Sequence, residues 1–212
     1  MREGEHHCPW REVEWKSSRV AEGLDRYREQ VDESTRAIFE AEFEALLAEQ
    51  APLWMEEGRA EPPDDRPLVL LDVDGVINDL WSQTGAQMPY PVMQVHAGQF
   101  ALHIPEYMPG LIQALVAMAE VRWCTTWEHD ANLHVAPVLG IDPLEVIELD
   151  PLTGRKPGVA RPHLWRAHGA SRATFWIEDF DRRPRGMPPD TVLIDTTPNG
   201  VLRPQDLDGL VG

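Results

Sequence analysis

Lysine is almost missing from this chain. Only Lys16 and Lys156 occur, and arginine fills every other basic position. Cysteine is equally scarce: Cys8 and Cys124 stand far apart. Two such cysteines build no disulfide framework, and Cys124 lies in an apolar run that predicts burial, so a reducing, cytoplasmic setting is expected. No apolar run approaches the roughly 20 residues needed to cross a bilayer. Positive charge is short as well, with 19 Lys and Arg against 36 Asp and Glu and a formal net charge of −17. Such a surface repels phosphate backbones and excludes a general duplex DNA or RNA binder. A small anion stays open to it where a metal and local groups reverse the field inside a pocket. The opening Met1-Arg2-Glu3-Gly4-Glu5-His6-His7 has no apolar stretch after its basic residue and does not read as a secretory leader. His6-His7-Cys8 has no second ligand pair placed by sequence and reads as a terminus, not a metal site.

What is present suits a globular protein. The 212 residues are 42% hydrophobic and 26% charged, which predicts a packed core in one domain with an extension. The extension is residues 1–66. Val20, Leu24, Tyr27, Val31, Ile38, Phe39, Phe43, Leu46 and Leu47 recur at three- and four-residue steps. That is one amphipathic helix, or two with a break near Asp32-Glu33-Ser34. Its apolar stripe is expected to pack on the following domain, with a homodimer or partner surface as the alternative. Glu57-Gly58 reads as a helix end and Glu61–Pro67 as an extended linker.

From residue 67 to 212 the pattern becomes a strand–helix alternation. Strands are predicted at Pro67–Leu71, Val121–Cys124, Glu145–Leu149, Thr174–Ile177 and Thr191–Ile194. Helices are predicted at Leu111–Ala119, at Ala131–Leu139 ending on Gly140, and at Val159–His168 ending on Gly169. His129, His134, His163 and His168 read as helix-surface residues. Alternation of this kind implies an α/β fold, a parallel five-stranded sheet with helices on both faces. Ligands of such sheets bind beyond the carboxyl ends of the strands.

Four clusters fall at that edge: Asp72-Val73-Asp74-Gly75, Thr125-Thr126-Trp127, Arg155-Lys156 and Glu178-Asp179-Phe180-Asp181. Carboxylates, a hydroxyl and an ammonium together make a magnesium and phosphate environment, because magnesium prefers carboxylate and water oxygens and shares the phosphate of its substrate. Asp72 directly ends a strand, so its carboxylate can be aimed, while Gly75 permits a tight turn. Paired acids divide naturally into a nucleophile and a proton carrier. Lysine at 156, in a chain that otherwise uses arginine, suits a point contact in a crowded site.

In this order the clusters resemble the four motifs of the haloacid-dehalogenase superfamily, over about residues 67–200. More narrowly, Trp123-Cys124-Thr125-Thr126-Trp127-Glu128, Ala131-Asn132 and Trp176-Ile177-Glu178-Asp179 resemble bacterial phosphatase-like domains, found alone or in RNA-repair proteins. The resemblance implies a three-layer Rossmann-like fold with a small cap or flap after the first strand. It implies that Asp72 attacks phosphorus and that Asp74 protonates the leaving oxygen and then activates water. It implies Mg2+ held by Asp72, the Asp74 backbone carbonyl and Asp179 or Glu178, with phosphate bound by Thr125 and Lys156. Asp79 and Asp181 would support the site from behind. The fourth motif departs from the two adjacent aspartates usual in the family, and Asp179 is favoured as the ligand.

Residues 79–105 match the place of the cap and hold Trp81, Met88, Tyr90, Met93, His96 and Phe100. Val92–Ile104 partly alternates and predicts a hairpin, either a lid that selects substrate or a cover for the sheet edge. Trp81, Tyr90 and Trp127 are candidate substrate contacts, though Trp127 equally suits the floor of the site. The expected function is Mg-dependent phosphomonoester hydrolysis of a small phosphorylated metabolite or nucleotide. The alternatives are a phosphatase acting on nucleic-acid ends and a non-catalytic binding module.

Overall fold

The structure, a computed structural model, describes residues 33–60, 65–85, 87–97, 100–149, 155–180, 184–208 and 210. The expectations for Val20–Val31, His6-His7-Cys8 and Asp181 lie outside these residues, as does most of the expected linker. A long helix α1 (Glu33–Ala60) comes first, then strand β1 (Leu68–Leu71). A hairpin follows, β2 (Val92–Ala97) and β3 (Phe100–Pro105), then α2 (Met108–Met118) and β4 (Glu120–Trp123). A π-helical turn (Ala131–Val135) runs into the short α3 (Ala136–Leu139), followed by β5 (Glu145–Val146), α4 (Lys156–Gly169), β6 (Thr174–Glu178) and β7 (Val192–Asp195).

All five expected sheet strands form, and every pairing among them is parallel, in the order β5-β4-β1-β6-β7. β1 is central and reads Leu-Val-Leu-Leu, buried throughout, as a strand covered on both faces must be. Alternate residues serve the two faces. Val69, Leu71, Trp123 and Ile177 pack with Met108, Ile112 and Leu115 of α2 and with Leu139 of α3. Leu68, Leu70 and Trp176 pack on the other side with Ala160 and Leu164 of α4. The fold is thus α/β in three layers, compatible with the Rossmann-like expectation.

Several boundaries differ from the sequence expectation. β5 is only two residues long. Beyond it Ile147 N–H still donates to the Trp123 carbonyl (2.9 Å), but Leu149 N–H turns to the Glu128 carboxylate (2.9 Å), which draws the chain off the sheet. The Ala131–Leu139 helix starts as a π turn. Pro137 has no N–H to give to Leu133, and the Asn132 side chain is engaged with both backbone groups of Leu144. α4 begins three residues early, so Lys156 is its first residue, with Pro157 harmless in the first turn.

Gly58 does not end α1 but lies inside it, where a Cβ would overlap the Arg166 carbonyl oxygen. Gly169 repeats the arrangement against the Met55 carbonyl. The two glycines let α1 lie backbone-close on α4, and Arg166 Nε adds a contact to Glu57 (2.7 Å). The side chains of Ile38, Phe39, Phe43, Leu46 and Leu47 lie outside the described part of α1.

His163 is half-buried on α4, with its Nδ1 2.8 Å from Arg122 Nη1. Glu120 joins Arg122 (2.7 Å) and Arg172 (2.6 Å) in the same network, at the amino edge of the sheet.

Candidate functional site

The strand register sets the geometry. Leu71 is level with Trp123 on one side and Ile177 on the other. Asp72 directly follows β1, and Glu178 ends β6 with Asp179 just beyond it. β1 is where the sheet order reverses, toward β4 and β5 on one side and β6 and β7 on the other, so this crevice is the topological switch point of the sheet.

Asp72 is 2% exposed, and its N–H donates to the Ile177 carbonyl (3.1 Å). Carboxylate oxygens of Asp72, Glu178 and Asp179 lie within 4.8 Å of one another. Lys156 Nζ bridges two of these acids, 2.6 Å from Asp72 Oδ2 and 2.7 Å from Glu178 Oε1. Burial alone would lower the lysine, but Asp72 and then Glu178 outweigh it and hold the ammonium firmly charged. The acids respond in the opposite sense. Burial and then the Asp72 charge push Glu178 far above the ordinary carboxylate range, and the same causes raise Asp179 less. With all three acids ionised, the lysine leaves two negative charges uncompensated.

Two buried oxygens, Asp72 Oδ1 and Glu178 Oε2, have no hydrogen-bond partner. Buried acceptors are normally satisfied, so three carboxylates with two unpartnered oxygens form a group that could hold a cation. Hard carboxylate oxygens in such a cluster fit magnesium. Asp179 completes the set by lying over Gly75, where a Cβ would meet its Oδ2 at 2.6 Å. Gly75 also takes φ +72°, a conformation that favours glycine.

Asp74 stands beside this cluster, half-buried, and both its oxygens are held. Asn78 Nδ2 donates to Oδ1 (2.7 Å) and Trp127 Nε1 donates to Oδ2 (2.9 Å). Trp127 is aimed by its own turn. Its backbone N–H donates to Thr125 Oγ1 (3.3 Å), and Glu128 takes φ +46°, a left-handed conformation that costs a non-glycine residue about 1–2 kcal/mol. Thr125 is buried one residue beyond Cys124, whose N–H donates to the Leu71 carbonyl (2.9 Å), so the register brings Thr125 beside the turn that follows Asp72. Burial keeps the Cys124 thiol protonated.

Other sequence candidates are committed elsewhere. Asp79 lies at the root of the hairpin, where it accepts from the N–H groups of Trp81 (2.9 Å) and Ser82 (3.1 Å) and from the Tyr90 hydroxyl (3.0 Å). Tyr90 stacks edge-on against Tyr107, and burial is the main cause that raises both phenols, Tyr107 to about 12. Trp81 is 48% exposed and its ring lies against Gly200. Asn78 is a site residue that the sequence motifs do not reveal. Its only signal is a polar residue four positions after Asp74, which the tight turn folds back onto that aspartate. No protein-family model, curated protein or solved structure matches this chain.

Proposed function

We propose that this protein is a magnesium-dependent phosphomonoester hydrolase of the haloacid-dehalogenase type, acting through an aspartyl-phosphate on Asp72. One observation carries the reading: a buried aspartate at the switch point of a parallel sheet has one oxygen on an ammonium and the other unpartnered, beside two further carboxylates. A structural salt bridge would satisfy both oxygens. Asp72, Asp179 and Glu178 would hold Mg2+, with the Asp74 carbonyl as a further ligand. Magnesium would supply charge neutralisation and a template for the phosphoryl group.

The chain's own residues divide the remaining work. The Asp72 carboxylate attacks phosphorus as the bond from phosphorus to the ester oxygen breaks, and Asp74 gives a proton to that oxygen. Water then attacks the aspartyl-phosphate, Asp74 takes its proton, and inorganic phosphate leaves with Asp72 restored. Lys156 leans on the carboxylate pair and turns to the phosphoryl oxygens as these approach. Thr125 lies one strand over and offers a hydroxyl to the same group. The negative surface favours a small phosphorylated metabolite or mononucleotide over a long polyanion.

The test is phosphate release from an aryl phosphate and from a panel of nucleotides, sugar phosphates and phosphorylated oligonucleotides, with and without Mg2+. Wild-type release that depends on Mg2+ and vanishes in Asp72→Asn is expected. Release no greater than that of the Asp72→Asn control across the panel overturns the reading.

A further inference from the structure

Both hydrogen bonds that hold Asp74 come from residues tied to one strand of the hairpin. Trp127, which reaches Oδ2, meets the ring of Phe100 edge-on, with centroids 5.3 Å apart and planes at 63°. Phe100 is the first residue of β3 and is half exposed. Asn78, which reaches Oδ1, accepts on its own Oδ1 from the backbone N–H of His103, in the middle of β3 (2.9 Å), and from Gln83 Nε2 (3.1 Å). His103 Nδ1 is fixed in turn by Ser82 Oγ (2.8 Å). Phe100 and His103 are three residues apart on a strand paired along its length with β2, so they move as one ribbon.

We propose that Asn78 and Trp127 are positioning residues for Asp74, and that the hairpin sets both, so its seating decides where the Asp74 carboxylate points. This rests on the hydrolase reading for its chemical meaning, since Asp74 is the proton carrier there. A carboxylate held at both oxygens by donors of fixed direction has lost its torsional freedom and is pre-oriented. The asymmetry between the two supports is informative. Asn78 is buried and reached through a backbone N–H, so it stays with the root of the hairpin. Trp127 is braced by a half-exposed phenyl ring at the far end, where a substrate arriving at the site would press. Lifting that end removes Phe100 from Trp127 and leaves the indole N–H as the first support to loosen. Trp127 therefore joins the lid to the acid–base group and is not simply a stacking surface for a substrate ring.

The full chain tests this with two changes of different kind. Trp127→Phe keeps a ring for Phe100 but deletes the N–H. Phe100→Ala deletes the brace but keeps the N–H, at a half-exposed position where folding is retained. With an aryl phosphate and Mg2+, Trp127→Phe is expected to lower kcat by about 10–100-fold, less than the roughly 100–10,000-fold of a whole acid–base group because Asp74 itself remains, while KM moves less than about 3-fold. Phe100→Ala is expected to lower kcat by a smaller factor, and Phe100→Tyr to restore it. Independently, the 15N-indole signal of Trp127, identified by its loss in Trp127→Phe, is expected to shift in Asp74→Asn and again in Phe100→Ala. A Trp127→Phe enzyme with wild-type kcat and pH profile overturns the proposal. So does an indole signal indifferent to both Asp74→Asn and Phe100→Ala. If the wild type releases no phosphate, the hydrolase reading fails, and the indole signal still decides whether the hairpin and Asp74 are coupled.

Discussion

The Asp179 carboxylate lies over Gly75, where an added Cβ would stand 2.6 Å from Oδ2 and 2.7 Å from Cγ. Gly75 also sits at φ +72°. The alanine variant must therefore accept a strained backbone, at about 1–2 kcal/mol, and push Asp179 off the loop. Gly75→Ala is expected to lower Tm and weaken Mg2+ binding by at least about tenfold, on the scale of losing one well-placed ligand contact. Calorimetric titration with Mg2+ checks it, and wild-type affinity would mean that Asp179 does not need its place over the turn.

Lys156 is the cation that touches both Asp72 and Glu178, so its loss leaves two buried acids facing each other with no positive charge between them. Breaking a buried pair by removing one partner costs about 3–5 kcal/mol. Lys156→Met is therefore expected to unfold at lower urea at pH 7, and added Mg2+ to return part of the loss. Urea curves with and without Mg2+ measure this, and a midpoint equal to wild type in both would show that the ammonium is not what stabilises the cluster.

Metal binding to the folded chain should stabilise it by mass action, about 2.7 kcal/mol at a hundredfold excess over Kd. Asp179→Asn should shrink that increment while leaving the metal-free Tm near wild type. A Tm that rises equally with Mg2+ in both proteins would remove Asp179 from the site.

His163 gives a pH signature away from the chemistry. Burial first, then the Arg122 and Arg166 charges, hold its imidazole down at about 4. The unfolded chain binds a proton on this residue near 6.5, so the histidine's share of stability is present above that pH. It is lost as pH falls from about 6.5 to about 4, on the order of 3 kcal/mol for a shift of this size. His163→Phe should flatten that part of the curve of unfolding free energy against pH. A slope unchanged by the substitution would assign it to other groups.

Much of this arrangement is legible in the sequence, and for a reason. β1 and β6 are mainly apolar, β4 alternates charged and apolar residues, and each is followed closely by a polar cluster. A parallel sheet places such clusters on one edge whatever the details between them. Asp72, Thr125, Glu178 and Asp179 can be collected on that rule, and Lys156 from its place after β5, at the start of the next helix. What stays hidden depends on directions that no local pattern encodes. Asn78 reaches Asp74 because the chain reverses at Gly75. Trp127 reaches it because Glu128 adopts a left-handed backbone. Tyr90 and Trp81 stand out in the sequence as aromatics in the insertion, yet a buried carboxylate at Asp79 and a bare backbone at Gly200 engage them first. Gly58 looks like a helix end because glycine commonly is one, and only the neighbouring helix explains it.

The paired glycines between α1 and α4 bear on where this protein can be cut. The motifs begin at residue 67, and a gene trimmed to them would start there. α4, however, carries Lys156 at its first residue and receives α1 near its other end, at Arg166 and Gly169. A chain started at residue 67 would uncover the helix that delivers the ammonium, and the Arg166 backbone would meet water where it now meets Gly58. Contacts between α1 and α4 thus cross the boundary that separates the chemistry from its extension, and expression of the minimal motif region should yield less soluble, less stable protein than the full chain.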